Sequence, residues 1–436
     1  MYFIFIICVV LLLVYSYRSV NNDILNPACI LCGFIVIALL FAFHLYDYWN
    51  LANYGFQTVL VFVIGISSFV VGCLIATRTN MHRSTFHLNS KSFSGIVRIS
   101  TFSYFFFHTL LLLSLLLFYM YYRSHVSDFS ADMFSEYKEF RTEEDQGIPA
   151  YVNICYKYIQ MMAHLDMFIF INNMFYKKSI SIFKFLLSPI VFSLVAILSA
   201  NRGDLLTFMM ASFACWYILY LRIRGFSDRF PKKVLKYGGI VGGAFLLLFW
   251  SLVFILQADN DIAQASAQKY ITSYISGPVA SFDLYLKQGG LPCKWFGQET
   301  FVALNNNLAA LFDLPYKSQR YLEFRSTATY SVVNIYSAFR RLFHDFGYAG
   351  MIFFSFFQGW FTTKFYAYVV TKKYRTNVDL PLCIYCFFFN TIIYTWIDDF
   401  FYSSNFSISG LVKVTMLVIL YKMYFLGSRV QAKVLK

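Results

Sequence analysis

Four arginines, a histidine and an aspartate crowd into the last part of a long polar stretch at 258–348: Arg320, Arg325, Arg340, Arg341, His344 and Asp345. Guanidinium groups are planar, permanently charged forks that match phosphate and carboxylate oxygens. A histidine or an aspartate can take the proton of an attacking hydroxyl that lies within hydrogen-bond reach. Tyr330, Tyr336 and Phe339 are interleaved with them and offer faces for sugar rings or prenyl chains. The set suits an anionic, lipid-linked or sugar-bearing substrate; the plainer alternative is a basic face touching lipid phosphates. Asp345 stands in an Asp-Phe-Gly string and could serve as a base or as a helix cap.

Another candidate is Arg202, in the string LSANRGDLLTF between two short apolar runs. The Asn-Arg-Gly-Asp turn leaves almost no soluble loop, so this guanidinium is expected close to the membrane surface. It could hold a phosphate or pyrophosphate oxygen, or pair with Asp204 or a lipid head group. The D-x-D string at Asp259–Asp261 is of the kind that can hold a divalent metal beside a nucleotide-sugar, but short acidic strings are common in loops and no metal is expected. Asp398 and Asp399 read as solvated residues at a helix end.

The elements that must position these groups are membrane helices. The chain is 59% hydrophobic and 13% charged, against roughly 25% charged in soluble domains. A spanning helix needs about 20 mostly apolar residues. Hydropathy gives candidates near 2–17, 27–46, 56–76, 101–122, 150–174, 183–200, 205–221, 237–257, 349–370, 381–397 and 408–426, about eleven in all. The expected architecture is all-α and polytopic: one membrane domain over 1–436, with a large external loop at 258–348 bearing amphipathic helices. In that loop QASAQKYITSYISGPVASFDLYLKQGG has roughly helical spacing, and Gly277-Pro278 is expected to break or bend it. The apolar run at 2–17 lacks a basic residue before it and a small-residue cleavage site after it, so it reads as a first span.

Loop charges choose the orientation. Arg78, Arg83, Lys91 and Arg98, then Lys177, Lys178 and Lys184, then the basic residues between Arg222 and Lys236, then Lys372, Lys373 and Arg375, fall on one side of an eleven-helix arrangement. Basic residues are retained on the cytoplasmic side, which makes the net charge of +14 topological and not a sign of nucleic acid. The acidic loop around Glu136–Asp145 and the stretch 258–348 then face outward. Nine cysteines read as small packing residues: Cys29/Cys32 and Cys383/Cys386 have C-x-x-C spacing without a histidine to complete a zinc site, and Cys293 alone stands in a soluble loop. Within the spans, Lys157, His164, Asp166, Lys364 and Lys413 are functional candidates by default. His164 and Asp166 are two apart and do not share a helix face.

The strings ILSANRGDLLTF, YISGPVASFDLYL and TATYSVVNIYSAFRRLFHDFGYAG together resemble the Wzy family of bacterial O-antigen, or oligosaccharide repeat-unit, polymerases. The resemblance covers roughly 190–360 by motif: an Arg-Gly turn after a hydrophobic span, then a Thr-rich segment leading to Asp-Phe-Gly-x-x-Gly. It implies a GT-C-like glycosyltransferase of the bacterial inner membrane with its active face in the periplasm, using neither metal nor nucleotide cofactor. Undecaprenyl-diphosphate-linked oligosaccharides would be donor and acceptor, and a polysaccharide chain-length regulator a partner. Arg202 matches the family's turn arginine and Asp345 its Asp-Phe-Gly position. Arg325 lies beside the Thr-rich motif, while Arg340 and Arg341 fall where the family varies. Nothing is carried over for His344. A flippase of lipid-linked sugars and an O-antigen ligase are the competing readings.

Overall fold

The computed structural model describes residues 1–81, 95–126, 137, 140, 148–176, 180–199, 201–224, 267–290, 292–316, 322–325, 334–371, 378–426 and 429–432. The span expected at 237–257, the Asp259–Asp261 string, Arg320 and Tyr330 lie outside these residues. In chain order the helices are α1 (Tyr2–Ser19), α2 (Pro27–His44), α3 (Phe56–Met81), α4 (Thr101–Arg123), α5 (Ala150–Tyr176), α6 (Leu187–Leu198) and α7 (Arg202–Arg224). They continue as α8 (Ala267–Gln288), α9 (Val302–Phe312), α10 (Ala338–Thr371), α11 (Leu380–Phe388), α12 (Asn390–Tyr394) and α13 (Ile408–Tyr424).

Local sequence sets several starts. Asn26 accepts from the Ala28 N–H at 3.1 Å with Pro27 in the first turn of α2, and Ser100 accepts from the Ser103 N–H at 3.0 Å to open α4. Asp379 does the same for Leu382 at 3.2 Å, with Pro381 in the first turn of α11. These side chains satisfy amides that a helix leaves orphaned at its start. Among the described residues five helices are long and apolar enough to cross a membrane: α1, α2, α3 over Phe56–Thr79, α4, and α7 over Gly203–Arg222. Their outer faces carry exposed apolar side chains, such as Leu11 at 63% and Phe102 at 80%, as a lipid-facing surface requires.

Elsewhere the apolar runs are interrupted. The run at 183–200 becomes a 3-10 turn, Ile180–Leu186, followed by the 12-residue α6, because Pro189 lacks an N–H and fits only a first turn. The run at 381–397 divides into α11 and the five-residue α12. By contrast α8 continues through Pro278 instead of breaking there. A proline inside a helix costs about 3 kcal/mol; burial of Ser276, Val279, Ala280, Ser281, Phe282 and Asp283 on that stretch offsets it.

The chain divides into two compact units. The first comprises Met1–His87, Gln268–Tyr368 and Thr391–Leu411. In it α3 meets α10 backbone to backbone at two glycines. A β-carbon on Gly72 would lie 2.2 Å from the Phe356 carbonyl oxygen, and one on Gly359 would lie 2.1 Å from that of Phe69. The Cys73 thiol donates to the Gly359 carbonyl at 3.4 Å. Small residues permit this approach, which gives apolar helices their packing energy where water supplies no hydrophobic drive.

The second unit comprises Leu88–Ala267, Val369–Asn390 and Val412–Lys436. It holds a feature that hydropathy does not show: β1 (Gly95–Arg98) pairs antiparallel with β2 (Arg429–Ala432), with Val97 opposite Val430. Two side-chain amides of α5 complete the ribbon. Asn173 accepts from the Val97 N–H at 2.9 Å and donates to the Val97 carbonyl at 3.0 Å, while Asn172 donates to the Gly95 carbonyl at 3.2 Å. The asparagines thereby pair backbone groups of β1.

The helix crossing yields a direct test. Gly72→Ala and Gly359→Ala should each lower stability in detergent by about 1–3 kcal/mol, the usual cost of overpacking. Gly33→Ala, whose β-carbon would meet only Leu13 at 4.0 Å, should melt at or above the parent temperature. Thermal unfolding of the three purified variants reads the difference.

Candidate functional site

The spacing Arg340, Arg341, His344, Asp345 places two i, i+4 pairs on the first turns of α10, where residues four apart share a face. The structure of the first unit uses both pairs. Arg340 donates through Nη1 to Glu299 Oε2, and through Nη2 to both oxygens of Glu323, at 2.8 and 2.7 Å. Its guanidinium stacks over Tyr285 at 4.7 Å and Tyr336 at 5.0 Å. The residue is fully buried, and burial lowers its guanidinium to about 10 from the ordinary 12.5. Arg341 forms a two-pronged pair with Asp398, Nε at 2.5 Å and Nη2 at 2.8 Å, and its Nη1 donates to the Glu299 carbonyl at 3.1 Å.

Asp345 accepts from the backbone N–H groups of Glu299 at 3.0 Å and Thr300 at 2.6 Å. Its carboxylate therefore caps a distant turn; the helix that follows it receives no such bond. Glu299 is consequently held at its N–H by Asp345, at its carbonyl by Arg341 and at its side chain by Arg340. The glycines of the Asp-Phe-Gly-x-x-Gly string have equally local reasons. Gly347 has φ +62° and ψ −158°, a region open essentially to glycine alone, and it interrupts α10 there. A β-carbon on Gly350 would lie 2.0 Å from that of Phe346.

His344 Nδ1 meets the Tyr285 hydroxyl at 2.8 Å, and Nε2 lies 3.6 Å from Glu299 Oε1. The side chain is 4% exposed. Burial first, and then the neighbouring Arg340 charge, hold its imidazole below the ordinary 6.5, so it is neutral at pH 7. Arg325 lies toward the exposed side of the cluster. It donates to the Gln288 amide oxygen and the Gly289 carbonyl, both at 2.6 Å, and to Glu323 at 3.0 Å. Tyr336 is fully buried, its hydroxyl donating to the Glu323 carbonyl at 2.9 Å. Tyr336 and Phe339 thus pack inside the protein and present no open face to a sugar.

Of the arginines singled out by sequence, Arg325, Arg340 and Arg341 are brought together, but so are carboxylates that sequence reasoning missed. Three cations, Arg325, Arg340 and Arg341, face three carboxylates, Glu299, Glu323 and Asp398. The available signal was electrostatic: an arginine bound for the interior needs an acid, and Glu299 and Glu323 are two of the few in the stretch. Asp399 is likewise packed inward and not simply solvated, while Asp398, partly exposed, is held by Arg341. Asp399 is 1% exposed, accepts from the Tyr402 N–H at 2.9 Å, and has no hydrogen-bond partner for Oδ2 among the described residues. Cys293, His344 and Asp345 bring one ligand atom each to within 4.8 Å of one another, a set that could hold a soft divalent ion; both Asp345 oxygens already accept backbone amides.

The second unit holds the other candidates. Arg202 opens α7, and Asn201 accepts from the Asp204 N–H at 3.4 Å. Asp204 in turn accepts from the Tyr156 hydroxyl at 2.7 Å and the Asn201 amide at 2.6 Å, with Lys413 at 3.9 Å. His164 and Asp166 point to different neighbours. His164 bonds the Gln160 carbonyl among Phe192, Phe208 and Phe387. Asp166 pairs with His108 at 3.0 Å and accepts from Ser188 at 2.5 Å and Tyr424 at 2.8 Å. All nine cysteines are free thiols, and seven are buried.

Two consequences of the cluster can be measured. Glu299→Ala should cost about 3–5 kcal/mol, the penalty for leaving a buried charge short of its partner, read as a fall in the unfolding midpoint. Asp399 adds a pH dependence. Burial lifts its carboxyl from the ordinary 3.8 to about 7, against the opposing pull of the Tyr402 amide and Arg341. The folded protein therefore binds this proton more tightly than the unfolded chain does, and stability falls as pH rises from about 4 to about 7. Asp399→Asn, neutral throughout, should unfold at a higher temperature than the parent at pH 8 and at the same temperature near pH 4. Equal differences at both pH values would refute the assignment. Comparison with protein-family models, curated proteins and solved structures finds no match to this chain.

Proposed function

We propose that this chain is a Wzy-type polymerase, a glycosyltransferase that extends lipid-linked polysaccharide at the periplasmic face of the bacterial inner membrane. In this reading about eleven spans support the site in a GT-C-like arrangement. The donor is a growing chain on undecaprenyl diphosphate and the acceptor is the terminal sugar of a new lipid-linked unit. The observation that carries the reading is the convergence of Tyr285, Arg325, Arg340, His344 and Asp345, drawn from or beside two of the strings that bear the resemblance, into one charged cluster.

The chemistry follows from the substrates. An acceptor hydroxyl attacks the anomeric carbon, the bond from that carbon to the lipid diphosphate breaks, and the hydroxyl proton passes to a base. Charge builds on the departing diphosphate, where preorganised guanidinium groups stabilise it. Arg325, with its carbonyl and amide partners near the exposed side, is the arginine of the cluster best suited to that role; Arg202, which belongs to the second unit, is a candidate on the resemblance alone. Arg341 is committed to Asp398 and builds the site, while Arg340 rests between Glu299 and Glu323. His344 is neutral at pH 7, with its ring fixed by Tyr285, and is the base the cluster offers. Asp345 acts by holding the Glu299 turn.

A flippase reading draws support from the buried His108–Asp166–Ser188–Tyr424 network, because intramembrane ionisable groups also serve as relays. Gene deletion followed by electrophoresis of surface polysaccharide separates the two. Polymerase predicts a product capped with a single repeat; complete loss of repeats points to a flippase or a ligase. Arg202→Ala and Arg325→Ala, at parental abundance, should each reduce long chains on the order of a hundredfold, the loss typical of removing one charge-stabilising donor. Parental chain lengths in either variant would remove that arginine from the mechanism.

A further inference from the structure

In the charged cluster of the first unit, the two acidic partners of Arg340 are held very differently. Glu299 is gripped at its N–H by Asp345, at its carbonyl by Arg341, and is packed with a side chain only 10% exposed. Removing it would dismantle the turn. The Glu323 side chain is 20% exposed, and its carboxylate contacts are the arginines themselves: Arg340 Nη2 at 2.8 and 2.7 Å and Arg325 Nη2 at 3.0 Å. Its neighbour Phe324 is 61% exposed, and Gln288 and Gly289 beside Arg325 are exposed too. Glu323 is thus the replaceable counter-ion.

The donors around it exceed what a carboxylate can use. Arg325 Nε and Arg340 Nε are both buried and have no hydrogen-bond partner among the described residues, although the two side chains are 10% and 1% exposed. An unpaired donor on a buried cation is costly. A carboxylate offers two oxygens; a phosphate group offers three and a larger charge. Tyr285 places its ring against both guanidinium groups, at 5.6 Å from Arg325 and 4.7 Å from Arg340, which keeps the two forks together whichever anion lies between them.

We propose that Arg325 and Arg340 form a phosphate-class anion site whose resident occupant is the chain's own Glu323, displaced when a phosphorylated ligand enters. The exchange balances charge: Glu299 continues to neutralise one arginine while the incoming anion takes over the charge that Glu323 had matched. No covalent step is involved. The inference deepens the polymerase reading, in which the ligand would be the lipid diphosphate, but the site is defined by donors and charge and can be tested without any glycosyl transfer.

The test is titration of the purified full-length protein in detergent with inorganic pyrophosphate, and in a separate arm with malonate, followed by calorimetry. Glu323→Gln should bind pyrophosphate about tenfold more tightly than the parent, and adding Arg325→Ala should abolish that gain. Malonate should gain less than pyrophosphate. An unchanged or weaker pyrophosphate affinity in Glu323→Gln overturns the proposal. So does failure of that variant to give a monodisperse protein, since Glu323 would then be a folding residue like Glu299. An equal gain for malonate overturns the phosphate preference. If the deletion strain lacks the single-repeat product while the titration succeeds, the polymerase reading fails and the anion site stands; the reverse pair of results does the opposite.

Discussion

A guanidinium stripped of water must find its balancing charge inside the protein, and Arg340 imposes that requirement on the first unit. The cost of an uncompensated buried ion is several kcal/mol, so Arg340 can occupy its fully buried position only when negative charge reaches it, supplied here by Glu299 and Glu323. Those two residues come from segments that are 41 and 17 positions away in the chain. One cation therefore fastens the turn at 299, the segment at 323 and the start of α10 to one another. The neighbouring residues on the helix extend the same logic: Arg341 and Asp345 seize the carbonyl and the amide of the very residue whose side chain meets Arg340.

This fastening needs an accurate platform, and glycines supply it. Close approach at Gly72 and Gly359 fixes α10 against α3, and Gly347 lets the charged first turns of α10 depart from the direction of the long apolar portion that follows. Trp396 ties the same region to α8, its indole N–H donating to the Ile275 carbonyl at 2.7 Å. Phe62 packs against Phe282, Phe339 and Trp396 together. The aromatic wealth of the sequence is spent here as rigid filling around the charged cluster.

Much of the helical framework was legible in the sequence, because twenty apolar residues in a row have few other options. The ends of α2 and α4 could be read from Asn26-Pro27 and Ser100. What hydropathy could not resolve was interruption. Pro189, in the first turn of α6, sets where one helix begins, and Pro278 does not end α8, since tertiary burial decides whether one lost hydrogen bond matters. The β1–β2 ribbon was invisible because its pairing joins residues more than three hundred positions apart and is completed by two asparagines of α5. In the candidate site the cations were legible and their partners were not. Arginine clusters look cationic in one dimension; Glu299, Glu323 and Asp398 neutralise this one only after folding.

The same electrostatics reach the imidazole of His344. Arg340 and His344 are one helical turn apart, and a fixed positive charge beside a buried ring disfavours a second one. Burial keeps the imidazole neutral first and the Arg340 charge adds to it, against the opposing pull of Asp345 and Glu323. The Tyr285 hydroxyl on Nδ1 then leaves Nε2 facing toward Glu299, at a distance too long for a good hydrogen bond. A ring that is neutral, oriented and incompletely partnered can still accept or donate a proton. Were Arg340 absent, the nearby acids would pull His344 toward its charged form and pair with it. The cation that makes the region fold thus adds to the burial that leaves the imidazole neutral and available for chemistry.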